Sequence, residues 1–301
     1  MKKYYFIILS FLLFTWGCEK EITVNLPEYK SKLVIEGSIE TGTYAEVKLS
    51  KSIPYFEPID TNAVNNILIG GDEATVIVSD NNQTDTLTYF NHGGFKIFKG
   101  TKIIGEAGKT YYLKVIYNGK TYTATTTIPY AVPIDSIKFY PDPRHDIDTL
   151  GFLWIYAKDP DTLGNNYRIL SKTLGKDFIF VHPDMSVDED KFYNGQTMEF
   201  SIYRGRNIMQ QDLYDEEGRD SLGIKWYYFV MGETVVVKFC SLDRKSFMFW
   251  HTAEQQQASN GNPFASPVTP YTNINGGALG IWGGYGVYLD TVHITPDIVK
   301  R

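Results

Sequence analysis

The feature that most constrains the fold of this chain is a succession of short runs in which apolar and polar residues alternate. Val, Ile, Thr, Tyr and Phe dominate these runs, and amphipathic patterns of helical length are nearly missing. Alternation with a period of two gives a strand one face for a core and one for solvent. The chain is therefore predicted to be mostly β.

The runs before residue 129 predict an N-terminal sandwich. The clearest hairpin joins 111–117 to 120–127 through Asn118-Gly119, a pair that tolerates the positive φ of a type I′ turn. Residues 53–71 are predicted as a long loop. The other predicted strands are 33–37, 44–50, 73–79 and 84–90. Together these elements predict an immunoglobulin- or transthyretin-like sandwich over residues 33–129.

Pro129 to Pro133 is the predicted domain boundary, and a larger β-rich domain over 133–301 follows it. Phe247 and Trp250 recur at helical spacing after Asp243, which can cap a helix, so one embedded helix is predicted near 243–258. Strands of this domain are predicted at 134–140, 151–158, 167–172, 178–182, 198–204, 225–230, 234–242 and 287–295.

The first residues resemble a bacterial lipoprotein signal. Lys2 and Lys3 precede an apolar run, 4–14, that is too short to span a bilayer, and Gly17-Cys18 ends the segment. The sequence therefore predicts a lipoprotein signal peptide over 1–17, lipidation of Cys18 and a polar tether over 18–32. An ordinary secretory signal that ends near a cysteine is the alternative.

Charge argues against a nucleic-acid partner. The net charge of −6 becomes −8 when residues 1–17 are removed with their two lysines, and no basic stripe is present to neutralise phosphates. The predicted contact with a membrane is the lipid anchor, because no later apolar run is long enough to span one.

A cysteine and a glycine-rich stretch are the first candidates for a chemical site. With Cys18 lipidated, Cys240 is the only thiol left, and it lies in a strand-like run that favours an inert apolar role. The glycines of 274–286 lack the lysine and following helix of a phosphate-binding loop, so they predict a closely packed strand or loop filled by Trp282 and Tyr285.

Acidic and histidine side chains give weak signals. His251 and Glu254 share a face of the predicted helix, but Gln255 stands where a zinc peptidase needs a second histidine. The acidic loops 159–161 and 184–190 could hold calcium or serve a hydrolase, although neither matches an EF-hand and solvated turns are favoured. No catalytic, cofactor or metal residue is predicted.

Asp followed by Ser or Thr and an aliphatic residue occurs more often than composition explains. These triplets resemble acceptor sites of O-glycosylation in Bacteroidota envelopes, although strands that begin after an Asp turn would also produce them. The predicted acceptors are Thr86, Ser136, Thr149, Thr162, Ser221 and Thr291.

Pieces spread over the chain resemble the Bacteroidota envelope lipoproteins known as domain of unknown function 4249. The pieces, in order, are 18–22, 33–37, 124–129, 166–168, 194–196, 262–264 and 273–286. The resemblance implies an outer-membrane lipoprotein that partners a TonB-dependent transporter barrel, and it supplies no catalytic residues. Glu19 and Glu21 resemble a surface-export signal, but the periplasmic and cell-surface sides both stay open.

The function predicted on this basis is a lipid-anchored accessory or substrate-capturing protein beside such a transporter, and not an enzyme. Its aromatic side chains could form a binding surface or simply fill a core; they are Tyr55, Phe56, Trp226, Tyr227, Trp282 and Tyr285. An envelope hydrolase that uses the acidic loops and a structural envelope adhesin are the alternatives.

Overall fold

The computed structural model describes residues 29–53, 66–92, 95–144, 149–206, 213–215, 217–259, 266 and 268–296. The predicted signal peptide and Cys18 lie outside these residues, as do most of the predicted 53–71 loop and the aromatics Tyr55 and Phe56. At the end of the predicted tether, Lys32 N donates to Ser52 Oγ at 2.9 Å. Among the described residues, no helix has the length and apolar content to cross a bilayer.

Strands dominate the described chain, as predicted. The strands of the first half are β1 (Leu33–Glu40), β2 (Tyr44–Lys51), β3 (Ala74–Ser79), β4 (Thr84–Thr86), β5 (Thr88–His92), β6 (Phe95–Ile104), β7 (Thr110–Tyr117) and β8 (Lys120–Thr127). Those of the second half are β9 (Ile134–Pro141), β10 (Leu150–Lys158), β11 (Asn166–Thr173), β12 (Val187–Glu189), β13 (Thr197–Ile202), β14 (Phe229–Val230), β15 (Thr234–Leu242) and β16 (Leu279–His293).

Two local predictions are confirmed in detail. Asn118 and Gly119 have φ values of 48° and 71°, as a type I′ turn between β7 and β8 requires. Helix α1 (Arg244–Ser259) begins after Asp243, whose Oδ1 accepts the Ser246 amide at 2.7 Å. This bond satisfies one of the free N–H groups at the helix start.

One eight-stranded sheet combines strands from both halves of the chain. Its order is β12-β11-β15-β16-β1-β2-β6-β5, and β1 pairs with β16 in parallel and with β2 antiparallel. The β4-β3-β7-β8 sheet packs on one end of it, and the sheet of β9, β10, β13 and β14 packs on the other. The prediction of a mostly β chain with a sandwich and one embedded helix is thus confirmed over the described residues, whereas the division into domains 33–129 and 133–301 stays a prediction.

Glycines allow β16 to pair closely with β1, as the glycine-rich pattern predicted. A Cβ on Gly280 would lie 1.9 Å from the Ile35 carbonyl oxygen, and its φ is 107°. A Cβ on Gly37 would lie 2.9 Å from the ring of Trp282, which is fully buried among first-half residues. Side chains at either glycine would separate the strands or displace the indole.

Four strand predictions are corrected. The 178–182 segment has only an isolated bridge, Ser171 to Val181, because the chain bends at Phe178 and Ile179 and the segment forms a wall of a cleft. In 225–230 only Phe229–Val230 is extended, since a turn bond from Tyr228 N to Lys225 O occupies the start. The sequence interpretation also missed β6, and it placed the start of β16 eight residues too late.

Candidate functional site

A cleft lies on the face of the eight-stranded sheet that points away from the two sandwich cores. Alternation sets this arrangement, because Ile35 and Ile39 of β1 enter a core while Glu36 and Glu40 point to the other face. In β11, Tyr167 likewise enters a core and Arg168 lines the cleft. The parallel pairing of β1 with β16 brings these strands into one surface.

The cleft has two walls above the sheet. Helix α1 supplies Trp250 on one side, and the 178–182 segment supplies Ile179 and Phe180 on another. The volume of this open cleft is about 350 Å³, at the small end of the range of ligand pockets. The full lining is Glu36, Gly37, Ser38, Glu40, Glu46, Lys48, Ile97, Arg168, Leu170, Ile179, Phe180, His182, Lys238, Cys240, Trp250 and Tyr285.

Each carboxylate of the lining is paired with a lysine. Lys238 Nζ lies 2.5 Å from both carboxylate oxygens of Glu40 and 5.1 Å from the centre of the Phe180 ring. The other two pairs are Lys48–Glu36 at 3.5 Å and Lys99–Glu46 at 2.7 Å. The acids of the cleft are therefore neutralised by their own neighbours.

Arg168 is the exception among the charged groups of the cleft. Its side chain is only 5% exposed, and its guanidinium carbon lies 3.4 Å from the centre of the Trp250 ring. Its Nε donates to Ser186 Oγ at 3.0 Å, and Ser186 in turn donates its N–H and its hydroxyl to Glu254. Within the described residues, no carboxylate forms an ion pair with Arg168, and no acceptor bonds to its two terminal nitrogens.

Tyr285 holds the indole that supports Arg168. The Trp250 Nε1–H donates to the Tyr285 hydroxyl at 2.9 Å. Burial raises the pKa of Tyr285 well above its usual value, so the phenol keeps its own proton as a further donor at the cleft. Trp250, Arg168 and Tyr285 thus form a rigid, donor-rich corner.

Cys240 contributes a neutral thiol to the lining. Burial raises its pKa to about 12, and the nearby positive charge of Lys238 lowers it by less. We expect the Cys240 peptide in native protein to be alkylated by iodoacetamide at pH 8 about 100-fold or more slowly than in urea-unfolded protein, because the thiolate is the nucleophile. Mass spectrometry of that peptide measures both rates, and equal rates would contradict the inert role.

Several acids of the two acidic loops form hydrogen bonds and an ion pair that hold the loops themselves in place. Asp190 accepts the amides of Gly164 and Asn165 at 2.9–3.1 Å, and Asp159 accepts the Tyr167 hydroxyl and the Gly195 amide. Glu189 pairs with Arg244 at 2.5 Å. These bonds join the two loops at one corner of the second sandwich, away from the lining of the cleft.

Other acidic side chains of these loops are exposed. Asp188 accepts the neighbouring Glu189 amide, Asp184 and Asp161 lie at the surface, and Asp161 is 3.5 Å from the amide nitrogen of Asn194. In the described part of the chain, no three His, Cys, Asp or Glu side chains lie close enough to hold a metal ion.

The helix pair His251 and Glu254 serves two different contacts. Glu254 anchors Ser186, and the His251 Nε2 lies 3.0 Å from Gln255 Nε2. The two side chains therefore do not converge on a common point.

The aromatic residues predicted as a surface separate in the structure. Trp282 is core, and Tyr285 lines the cleft. Trp226 and Tyr227 pack on each other with ring centres 5.6 Å apart, outside the lining. Of the described members of this set, Tyr285 lines the cleft, and a binding role for it stays a prediction.

The predicted glycosylation acceptors are mostly accessible. Thr86, Thr149, Thr162, Ser221 and Thr291 are exposed, and Ser136 is half-buried in β9. Two of the preceding acids have structural roles: Asp220 accepts the Leu222 amide in a turn, and the buried Asp85 accepts amides of β6. Modification of these sites stays a prediction.

Sequence reasoning missed Arg168, Lys238, Trp250 and Glu40 as site residues. For the three charged residues the signal was charge on the outward positions of strands whose inward positions are apolar, as in Glu36-Gly37-Ser38-Ile39-Glu40. That pattern is typical of any solvated sheet face. The convergence of these residues depends on long-range pairing that local patterns do not contain.

A family model described as "Domain of unknown function (DUF4249)" matches residues 19–289, which include the whole lining of the cleft. This match confirms the resemblance to that family, whereas the lipoprotein and envelope assignments stay predictions. No curated protein matches the chain. The family description assigns no activity, so function must be argued from the residues themselves.

Proposed function

We propose that this chain, which belongs to the family described as domain of unknown function (DUF4249), is a lipid-anchored accessory protein of the outer membrane. In this role the protein captures a small ligand in its cleft beside a TonB-dependent transporter barrel. The observation that carries the proposal is the cleft itself, with a buried Arg168 that no carboxylate of the described residues pairs.

The architecture of the cleft supports capture rather than chemistry. Concave sites with a few convergent polar groups among apolar walls are typical of small-molecule binding. The thiol of Cys240 is held neutral, and the lining carboxylates are each paired with lysine. A thiol that stays protonated is a poor nucleophile, and a carboxylate that is paired with a lysine is a weakened base, so these groups are poorly suited to either role.

The anchor and the partner rest on the sequence. The signal-like segment 1–17 and Cys18 support attachment by lipid, and the family resemblance supports a barrel as partner. The side of the outer membrane that the protein faces is left open by this proposal.

The hydrolase alternative draws no support from Asp159 or Asp190, whereas Asp184 and Asp188 line a second cleft in which partial burial raises the pKa of Asp188. Asp159 and Asp190 already accept hydrogen bonds that hold the loops in place. No described feature distinguishes a structural adhesin from a ligand-binding protein, apart from the cleft, which a purely structural protein does not require. Both alternatives stay predictions.

Purification of the C-terminally tagged protein from its native membranes in mild detergent tests the proposal. We expect a TonB-dependent barrel to co-purify and the N-terminal peptide to begin at an acylated Cys18, because several acyl chains anchor a protein stably. The Cys18→Ser variant is the matched control and should leave the membrane fraction. A wild-type protein that is unacylated and repeatedly isolated alone would contradict the proposal.

A further inference from the structure

We infer that the cleft binds a small organic oxyanion, a carboxylate or phosphate monoester on a compact apolar body, through the terminal nitrogens of Arg168. This inference deepens the proposed function, and it rests on that function for the biological meaning of the ligand. The binding itself is a property of the isolated chain.

The charges of the cleft are paired with neighbouring charges except at Arg168. Glu36, Glu40 and Glu46 are each paired with a lysine, which leaves Arg168 as the cation without a direct carboxylate partner among the described residues. A buried charge without a partner is costly. An anion that enters the cleft and pairs with Arg168 would remove that cost. The missing carboxylate partner therefore favours an anionic ligand.

The guanidinium of Arg168 is held in a fixed orientation. Stacking on Trp250 at 3.4 Å and the bond from Nε to Ser186 fix the plane of the group, and the two terminal nitrogens remain for the cleft. Such a fork matches the two oxygens of a carboxylate or phosphate, and charge-assisted bonds of this kind are the strong ones.

The protein stabilises this cation without neutralising it. Glu254 lies behind Ser186 and accepts both its N–H and its hydroxyl, so a negative charge stands near Arg168 without forming a direct bond to it. The face of Trp250 adds a cation–π attraction. Both contacts hold Arg168 in place before any ligand arrives, which lowers the ordering cost of binding.

The rest of the lining indicates what the body of the ligand is like. Ile97, Leu170, Ile179 and Phe180 are apolar, and the volume of about 350 Å³ limits the ligand to a small molecule. The Tyr285 hydroxyl keeps its proton. Trp250 links it to Arg168, because the indole N–H donates to the hydroxyl and the indole ring stacks on the guanidinium. A compact apolar group with one oxyanion at its end fits this division of polar and apolar walls.

Binding of four probes to the purified full-length mature protein, at constant ionic strength, tests the inference. The probes are benzoate, phenyl phosphate, acetate and inorganic phosphate, measured by ligand-observed NMR and by the rise in melting temperature. We expect benzoate or phenyl phosphate to bind more tightly than acetate and inorganic phosphate, and the tighter of the two to show which oxyanion is preferred.

The variants Arg168→Met and Arg168→Lys locate the binding. We expect affinity for the preferred probe to fall about tenfold or more in Arg168→Met and less in Arg168→Lys, which keeps the charge but loses the fork. Arg219→Met is the control, because Arg219 is exposed, lies outside the cleft and carries the same charge. It should bind as the wild type does.

A measurement on the wild-type protein covers the case in which the variants misfold. NMR should show intermolecular contacts between the preferred probe and the indole protons of Trp250, on which Arg168 stacks, and none with Trp226, which lies outside the lining. The inference is overturned if no probe binds the wild type, if only the inorganic anions bind, or if binding is unchanged in a folded Arg168→Met. Because no anchor or barrel is needed, these outcomes are independent of the membrane experiment.

Discussion

Replacing Trp282 with alanine is expected to lower the free energy of unfolding by about 3–5 kcal/mol. The indole is fully buried in the first core, and its Nε1–H donates to the Tyr111 carbonyl at 3.1 Å. Truncation leaves a large cavity next to Gly37 and removes the hydrogen bond between the indole and β7. Urea denaturation followed by far-UV circular dichroism measures the loss.

Trp282 also tests whether the shared sheet couples the two halves. Trp282 belongs to the first core, whereas Val292 and Ile294, in and just after β16, belong to the second. We therefore expect one transition at lower urea with an unchanged slope. The exposed Tyr130, replaced by alanine, is the control and should change stability by about 0.5 kcal/mol or less. A loss of similar size in both variants would contradict the burial argument.

Replacing Asp177 with alanine is expected to cost about 3–5 kcal/mol. Its carboxylate accepts Arg204 Nη2 at 2.6 Å and the Thr173 amide at 2.7 Å, and both charged side chains are almost fully buried. The salt bridge raises the pKa of Arg204 although burial alone would lower it. Removing the carboxylate leaves a buried cation that cannot deprotonate at accessible pH.

The matched control is Glu217→Ala at an exposed ion pair. Glu217 lies 2.5 Å from Arg219, and both side chains are well exposed to solvent. Surface pairs contribute about 0–1 kcal/mol, so this variant should unfold near the wild-type urea midpoint. Equal midpoints for Asp177→Ala and Glu217→Ala would show that the buried pair is not needed for stability.

The parts of the fold that the sequence predicted are those with local causes. Asn118-Gly119 specifies its turn through backbone conformation, and Asp243 marks the start of α1 through a hydrogen bond three residues away. Alternation also located most strands. Segment 178–182 failed because its apolar residues line a cleft instead of extending a sheet, and an apolar run alone does not distinguish these two outcomes.

The candidate site could not be predicted because its residues converge only in the folded chain. Glu40 and Lys238 are 198 residues apart in sequence and meet through the pairing of β1, β16 and β15. The glycines of β16 carried a local signal of close packing, but not the identity of the partner strand. In the sequence, Arg168 resembles any outward charge on a strand. Only the folded chain shows that its guanidinium stacks on Trp250.

The measurement that tests the account most directly is a comparison of the small molecules released from wild-type and Arg168→Met protein. Both proteins would be purified with their membrane partners, denatured and analysed by mass spectrometry. We expect a small organic oxyanion in the wild type, depleted about tenfold or more in the variant, with a barrel present in both preparations. The same small molecules at the same levels in both proteins would contradict it.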